Sequence, residues 1–269
     1  GFSIMVFPEG SRSENNSMNR FHKGAFYLAE QFNLDIIPVV IHGYSEVLPK
    51  GDFVINGGVT TVEILDRILP NDLAFGKDYG ERTKKVSFFF KSHYKEMRLE
   101  LEGPNYFKKK IVNSFDFKEI EVIQAVKKDL NANLSLYHKL NKWIDSKARI
   151  LHIANDYGQL DILLTLQDSH RKINTFISDE LNRSLAKTNY ILKKRTIHYA
   201  DDVSELFQQR YDVVLISYNQ TEMNWSAVCN LANSVVLLHS NKLKDSLLVF
   251  GFEIVFEIDE LIVLKKVTQ

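Results

Sequence analysis

Five short apolar runs, Arg149 to Ala154, Lys172 to Ser178, Thr196 to Tyr199, Asp212 to Ser217 and Ser234 to His239, are separated from one another by helix-length segments. Runs of this kind that alternate with helices can be joined only by crossovers, so the pattern predicts a parallel, doubly wound sheet with helices on both faces. Two more runs, Glu253 to Ile258 and Glu260 to Lys265, stand so close that only a tight turn fits between them. They predict an antiparallel hairpin at the edge of the sheet. A helical stretch from Phe117 to Trp143 leads into the alternation.

Gly103-Pro104-Asn105 breaks the chain ahead of this region, and a boundary there divides it into domains at 1–104 and 105–269. The first domain is also α/β. Its pattern predicts strands at Phe2 to Phe7, Asp35 to His42, Asp52 to Val54 and Thr60 to Leu65, a polar loop from Ser11 to Asn19, and a helix from Lys23 to Phe32. A helix from Tyr79 to Leu101 closes it, with Val86, Phe89, Phe90, Tyr94, Met97 and Leu101 at three- and four-residue steps. The same helix carries Arg82, Lys84, Lys85, Lys91, Lys95 and Arg98, which reads as a solvated face over a core, or else as a membrane-surface helix. Because Phe2 opens at once into an apolar run, the chain reads as a truncated piece of a longer protein.

Composition narrows the function. Lys and Arg number 34, as do Asp and Glu, so no global field favours nucleic acid. The only cysteine is Cys229, which excludes internal disulfides and cysteine-rich metal centres and suits a reducing compartment. No apolar run approaches the roughly 20 residues of a bilayer span, so the piece itself is expected to be soluble. No metal is expected.

The chemistry concentrates in Phe7-Pro8-Glu9-Gly10-Ser11-Arg12-Ser13. Gly10 lets backbone approach a ligand, Ser11 and Ser13 offer hydroxyls, and the Arg12 guanidinium matches a phosphate bidentately. Glu9 would orient Arg12 or accept from a substrate hydroxyl. A surface turn with a weak Glu–Arg pair has the same composition. With Phe21-His22-Lys23-Gly24-Ala25-Phe26-Tyr27-Leu28-Ala29 and Ile36-Ile37-Pro38-Val39-Val40-Ile41-His42-Gly43, the turn resembles, in order and spacing, blocks of the lysophospholipid and 1-acyl-glycerol-3-phosphate acyltransferase family. The resemblance covers residues 2–101 as the C-terminal half of that fold. It implies that Glu9, Gly10, Ser11 and Arg12, with Lys23 as a second cation, bind the acceptor's phosphate, and that Pro38 and Gly43 line the acyl or acceptor side.

That family's catalytic pair is a His followed after four residues by an Asp, the imidazole deprotonating the acceptor hydroxyl. None of the eight histidines here has an Asp five positions on. The pair would precede the Pro8-Glu9-Gly10 block, so truncation accounts for its absence, and the chain is expected to be inactive in acyl transfer while its parent is active. His42 and His93 are then ordinary histidines.

The segment Ile150 to Gly158, with Lys172 to Asn189, Tyr211 to Ser217 and the terminal hairpin, resembles class I S-adenosylmethionine-dependent methyltransferases over residues 112–267. The cofactor turn is degenerate: His152 stands at the acidic position, Ala154 and Asp156 at glycine positions, and Gly158 alone is kept. In register, the ribose-binding carboxylate falls on Ile177. The resemblance then leaves Asp156, Gly158, Asp179, Glu180, Asp201 and Asp202 as candidates for holding S-adenosylmethionine, with no cofactor required for acyl transfer.

Together the two halves resemble bacterial fusions of an exporter, an acyltransferase and a methyltransferase-like domain. The implied partners are a glycerol phosphate or lysophospholipid acceptor, an acyl-carrier protein or acyl-coenzyme A donor and, through the parent, the cytoplasmic face of the inner membrane, with no nucleic acid. A non-catalytic phosphate-binding and protein-interaction module, or a divergent methyltransferase, are the other readings of the same residues.

Overall fold

A computed structural model of the chain describes residues 3–13, 17–48, 50, 55, 57–218, 223–239 and 241–267. The chain divides into two compact units, Gly1–Gly103 and Pro104–Gln269.

Unit 1 runs α1 (Gly24–Gln31), β1 (Val39–His42), α2 (Tyr44–Val47), β2 (Thr61–Ile64) and α3 (Tyr79–Leu101). The strands pair antiparallel, with Val39 opposite Ile64 and His42 opposite Thr61. The run expected from Asp35 joins the ladder only at Val39, because Pro38 has no N–H to donate. Upstream of it, Ile36 makes an isolated bridge with Ile68. The bounds of helix α3 match its sequence reading, but Arg82, read as part of its solvated face, is buried and donates to the Gly76 carbonyl at 3.3 Å. Asp78 caps the helix by accepting from the Gly80 and Glu81 N–H groups at 2.7 and 2.9 Å, which satisfies two of the free donors of a helix start. Its Val86, Phe90 and Met97 pack with Phe21, Phe26, Val40 and Ile68 in the core of the unit, while Lys84, Lys85, Lys91 and Lys95 are exposed. At its far end Arg98 grips Glu102 through Nε and Nη2, at 2.7 and 2.8 Å. Glu102 also meets His42 Nε2 at 3.1 Å, tying the helix end to β1.

The expected first strand is corrected. Phe2 lies outside the described residues, and residues 3–7 form no strand: Ile4 and Phe7 are 72% and 69% exposed. An apolar run becomes a strand only where a partner satisfies its backbone, and among the described strands none pairs with it. The expected strand Asp52 to Val54 lies outside the described residues.

Unit 2 begins with α4 (Lys108–Asn113) and α5 (Ile120–Leu140). Helix α5 buries Val122, Val126, Leu130, Leu134, Tyr137 and Leu140, a stripe at three- and four-residue steps. Then follow β3 (Arg149–Ala154), α6 (Gln159–Gln167), β4 (Lys172–Ile177), α7 (Glu180–Lys187), β5 (Ile197–Tyr199), β6 (Val213–Ile216), α8 (Trp225–Cys229), β7 (Ser234–Leu238), α9 (Lys244–Val249), β8 (Phe252–Ile258) and β9 (Leu261–Lys266). The sheet order is β5-β4-β3-β6-β7-β9-β8. β3 to β7 are parallel, and β9 inserts antiparallel between β7 and β8. This is a doubly wound, Rossmann-like sheet of the methyltransferase type with a terminal antiparallel hairpin.

Alternation along the strands builds two cores. Ile150, Leu215 and Val236 pack with α5 and α6 on one face, while Leu151, Ile153, Val214 and Val235 pack with Val228, Cys229 and Leu247 on the other. The strand order reverses between β3 and β6, and the crevice at the carboxyl ends there is where such sheets hold ligands.

Candidate functional site

The turn at Glu9 is built by local hydrogen bonds. The Gly10 N–H donates to the Phe7 carbonyl at 3.0 Å with Gly10 at φ +69°, and the His22 N–H donates to the Pro8 carbonyl at 2.7 Å. The Asn19 N–H donates to Glu9 Oε2 at 2.7 Å. A Cβ on Gly10 would stand 3.1 Å from the His22 imidazole. The structure therefore clasps the Pro8–Ser13 turn onto the segment that opens α1, where Lys23 sits exposed at the N-cap position. Ser11 and Arg12 are also exposed, and Arg12 Nη1 donates to the Leu48 carbonyl at 3.0 Å. The Glu9 oxygen resolved here fixes the backbone at Asn19, so the carboxylate shapes the turn. Pro38 is buried and its carbonyl accepts from Leu65. Gly43, at φ +82°, lies so close to the Val59 carbonyl that a Cβ would be 2.2 Å from its oxygen. His42 is buried against Glu102, and His93 Nε2 lies 3.0 Å from Glu63.

The six cofactor candidates of unit 2 have structural employment. The Gly158 N–H donates to Asp156 Oδ1 at 3.0 Å, and desolvation pushes the Asp156 carboxyl up to about 6. Gly158 adopts φ +82° at the start of α6, and the Tyr199 hydroxyl fills the space a Cβ would take, at 2.2 Å. Asp179 caps α7 through the Asn182 N–H at 2.8 Å, with Glu180 exposed in the first turn. Asp201 pairs with Lys187 at 2.5 Å and Arg183 at 3.6 Å, and Lys187 holds its carboxyl below the usual range. Asp202 and Glu205 form a capping box on the 3-10 turn Val203–Gln208, and the Ser204 N–H that donates to Asp202 at 2.8 Å holds that carboxyl below the usual range. The space that a Cβ on Gly158 would take is filled by the protein's own Tyr199.

The polar constellation that the structure does assemble lies one turn deeper. His152 on β3 is fully buried, with Nδ1 2.7 Å from Asp161 Oδ1 on α6 and Nε2 2.7 Å from Ser217 Oγ just past β6. Thr175 on β4 donates to the other Asp161 oxygen at 2.9 Å. Burial opposes a charged imidazole, yet Asp161 outweighs it and raises the proton affinity of His152 above its ordinary value. The sequence places His152 where an acidic residue is expected, but these partners are not readable from it. A scan for Asp five positions after each His cannot find a carboxylate nine positions on or a serine supplied by another strand. The visible signal is that His152 interrupts and Ser217 ends an otherwise apolar run.

Residues 1–42 match the family model described as Acyltransferase. Human 1-acyl-sn-glycerol-3-phosphate acyltransferase beta is 37% identical over 65 residues, covering 24% of this chain and 23% of that protein. The 1-acyl-sn-glycerol-3-phosphate acyltransferase of Saccharomyces cerevisiae is 38% identical over 86 residues, covering 31% of this chain and 28% of that protein. The chain thus spans about a quarter of the length of these curated relatives. Among solved structures, M. capricolum TrmK in complex with S-adenosyl-homocysteine is 15% identical, covers 49% of this chain and 67% of that one, and has a TM-score of 0.38. The fold of unit 2 is read from its strand order rather than from that match. Residues 1–42 of unit 1 are thus similar in sequence to acyltransferases, and unit 1 is followed in the same chain by a doubly wound sheet.

Proposed function

We propose that residues 1–103 are the acceptor-binding part of an acyltransferase that moves a fatty acyl group from an acyl-carrier protein or acyl-coenzyme A onto a glycerol phosphate or lysophospholipid. Unit 2 is then a methyltransferase-like fold retained without methyl transfer. The observation that carries this reading is the clasp between Gly10 and His22, within the residues that match the family. It holds the exposed Arg12 on a turn that is fastened to the segment ending in the exposed Lys23.

In this role Arg12 presents its planar fork to phosphate oxygens and Lys23 adds a compact positive charge. Ser11 contributes a hydroxyl donor. Gly10 keeps the turn thin enough for close approach, and Glu9 holds its shape through Asn19. Acyl transfer also requires a base to deprotonate the acceptor hydroxyl as it attacks the acyl carbonyl. With no His–Asp pair at the family spacing, these residues bind and orient the acceptor but do not remove its proton. The reaction draws on no cofactor. The acceptor and donor are lipid-derived, so the full protein is assigned to a membrane surface, on its cytoplasmic side.

Titration of lysophosphatidate and of glycerol 3-phosphate into the chain, followed by phosphorus NMR or calorimetry, tests the acceptor site. A hydrogen bond to a charged group contributes about 1.5–3 kcal/mol, so Arg12→Ala should weaken binding by roughly 10- to 100-fold. Unchanged affinity in that variant would remove the reading. Labelled acyl donor should give no product with the chain alone, and S-adenosylmethionine should give no binding heat.

A further inference from the structure

We propose that Ser217, His152 and Asp161 form a nucleophile–base–carboxylate relay that acts on carboxylic esters at the carboxyl end of the parallel sheet. The inference rests on unit 2 alone and is independent of the acceptor site assigned to unit 1.

Each link has the geometry the chemistry requires. Asp161, fully buried, lies 2.7 Å from His152 Nδ1. Thr175 donates to its second oxygen at 2.9 Å and fixes the carboxylate plane. In the neutral imidazole with Nδ1–H given to Asp161, Nε2 is the acceptor 2.7 Å from the Ser217 hydroxyl, whose other acceptor is the Ile153 carbonyl at 3.3 Å. That is the tautomer and order of a serine nucleophile with an oriented base. A network that served only to satisfy buried groups could be sealed throughout. Here His152, Asp161 and Thr175 are sealed, whereas Ser217 is only half-buried. Ser217 also follows β6 directly, beside β3, at the point where the strand order reverses. This is the crevice in which sheets of this kind bind ligands.

The reaction balances with water as co-reactant. Ser217 Oγ attacks the ester carbonyl carbon while its proton passes to His152 Nε2. The carbon–oxygen bond to the alcohol breaks, and the alkoxide takes that proton and leaves. Water then attacks the acyl-serine, giving its proton to Nε2. The carbon–Oγ bond breaks, the carboxylic acid departs, and Ser217 recovers its hydrogen.

The test uses the full 269-residue chain. It is treated with a fluorophosphonate probe, the adduct is mapped by mass spectrometry, and hydrolysis of p-nitrophenyl butyrate is followed in parallel. The expected result is a single adduct on Ser217, its loss in Ser217→Ala, and a labelling rate lowered about 10³- to 10⁴-fold in Asp161→Asn. Should Asp161→Asn fail to fold, the wild-type rate between pH 5 and 9 serves instead. It should fall on acidification as the imidazole protonates, with Asp161 and Asp156 the carboxylates acting on it and Tyr199 lying against Asp161. Ser217→Cys supplies a further readout, a thiol alkylated by iodoacetamide at pH 6 far faster than a free cysteine. No adduct on the folded chain, an adduct on another serine, or a thiol of ordinary reactivity in Ser217→Cys would each overturn the proposal.

Discussion

Gly158→Ala separates two reasons for the one glycine left in the degenerate turn. Gly158 sits at φ +82°, where an L-residue costs roughly 1–2 kcal/mol. Its new Cβ would also lie 2.2 Å from the Tyr199 hydroxyl and 3.0 Å from Tyr199 Cζ. Tyr199 is buried among Ala154, Ile177 and Ala186 and has little room to retreat, so overpacking adds about 1–3 kcal/mol. The total is about 2–5 kcal/mol for unit 2. Tyr199→Phe removes the worst overlap and leaves the backbone cost, so the double variant should recover about 1–3 kcal/mol relative to Gly158→Ala. Both tryptophans, Trp143 and Trp225, belong to unit 2, so urea unfolding followed by their fluorescence reports that unit. A loss below about 1 kcal/mol, or no recovery on adding Tyr199→Phe, would refute the packing argument. A glycine kept for a cofactor predicts only the backbone cost of about 1–2 kcal/mol, together with lost ligand binding.

Two further outcomes are expected. In unit 1, Glu102→Ala removes the shared partner of buried His42 and half-buried Arg98 and should cost about 1–3 kcal/mol, the usual loss for a broken hydrogen bond to a charged group. Glu102→Gln should cost less, and a far-UV circular dichroism melt of α3 that shows less than about 1 kcal/mol for the alanine variant would contradict the assigned role. In unit 2 the Asp156 carboxyl is pushed up to about 6 from an ordinary 3.8, so the folded state holds its proton more tightly than the unfolded state. That difference costs nothing below the ordinary value, grows as pH rises, and is fully felt above about 6. Asp156→Asn, whose Oδ1 can still accept from Gly158, should raise the urea midpoint at pH 8 and leave it nearly unchanged at pH 4. Equal effects at both values would show that the carboxylate's charge is not the cause.

What the sequence revealed depended on how local the deciding physics was. Helix α3 was legible to its last residue because its cap, its stripe and its closing Gly103-Pro104 all lie within the segment. The sheet strands were legible because burial on both faces leaves continuous apolar runs. The run at residues 3–7 has the same composition, yet pairing is decided by distant chain, and composition alone overstated it. The carboxylates read as cofactor ligands carry a nearer structural role that the sequence also shows. Asp179 precedes Glu180–Lys187, and Asp202 stands three residues before Glu205, so both also carry helix-start signatures. Both are caps in the structure.

The Ser217 cluster was illegible for the opposite reason, and its assembly follows from register. In the parallel ladders His152 stands opposite Thr175 on β4 and Leu215 on β6. Ser217 is two residues beyond Leu215, so the strand period of two returns it to the same face as His152. Helix α6 covers that face and supplies Asp161 from nine positions along the chain. Three strands and one helix thus each deliver a single polar side chain to one place, and no window of contiguous sequence contains them. Each would cost about 1–3 kcal/mol if buried without a partner, so they are tolerable only together. Loss of any one then falls on the whole set, and this is why the proposed chemistry is tested at Ser217, whose half-buried position makes it the member that can be changed with least damage to the rest.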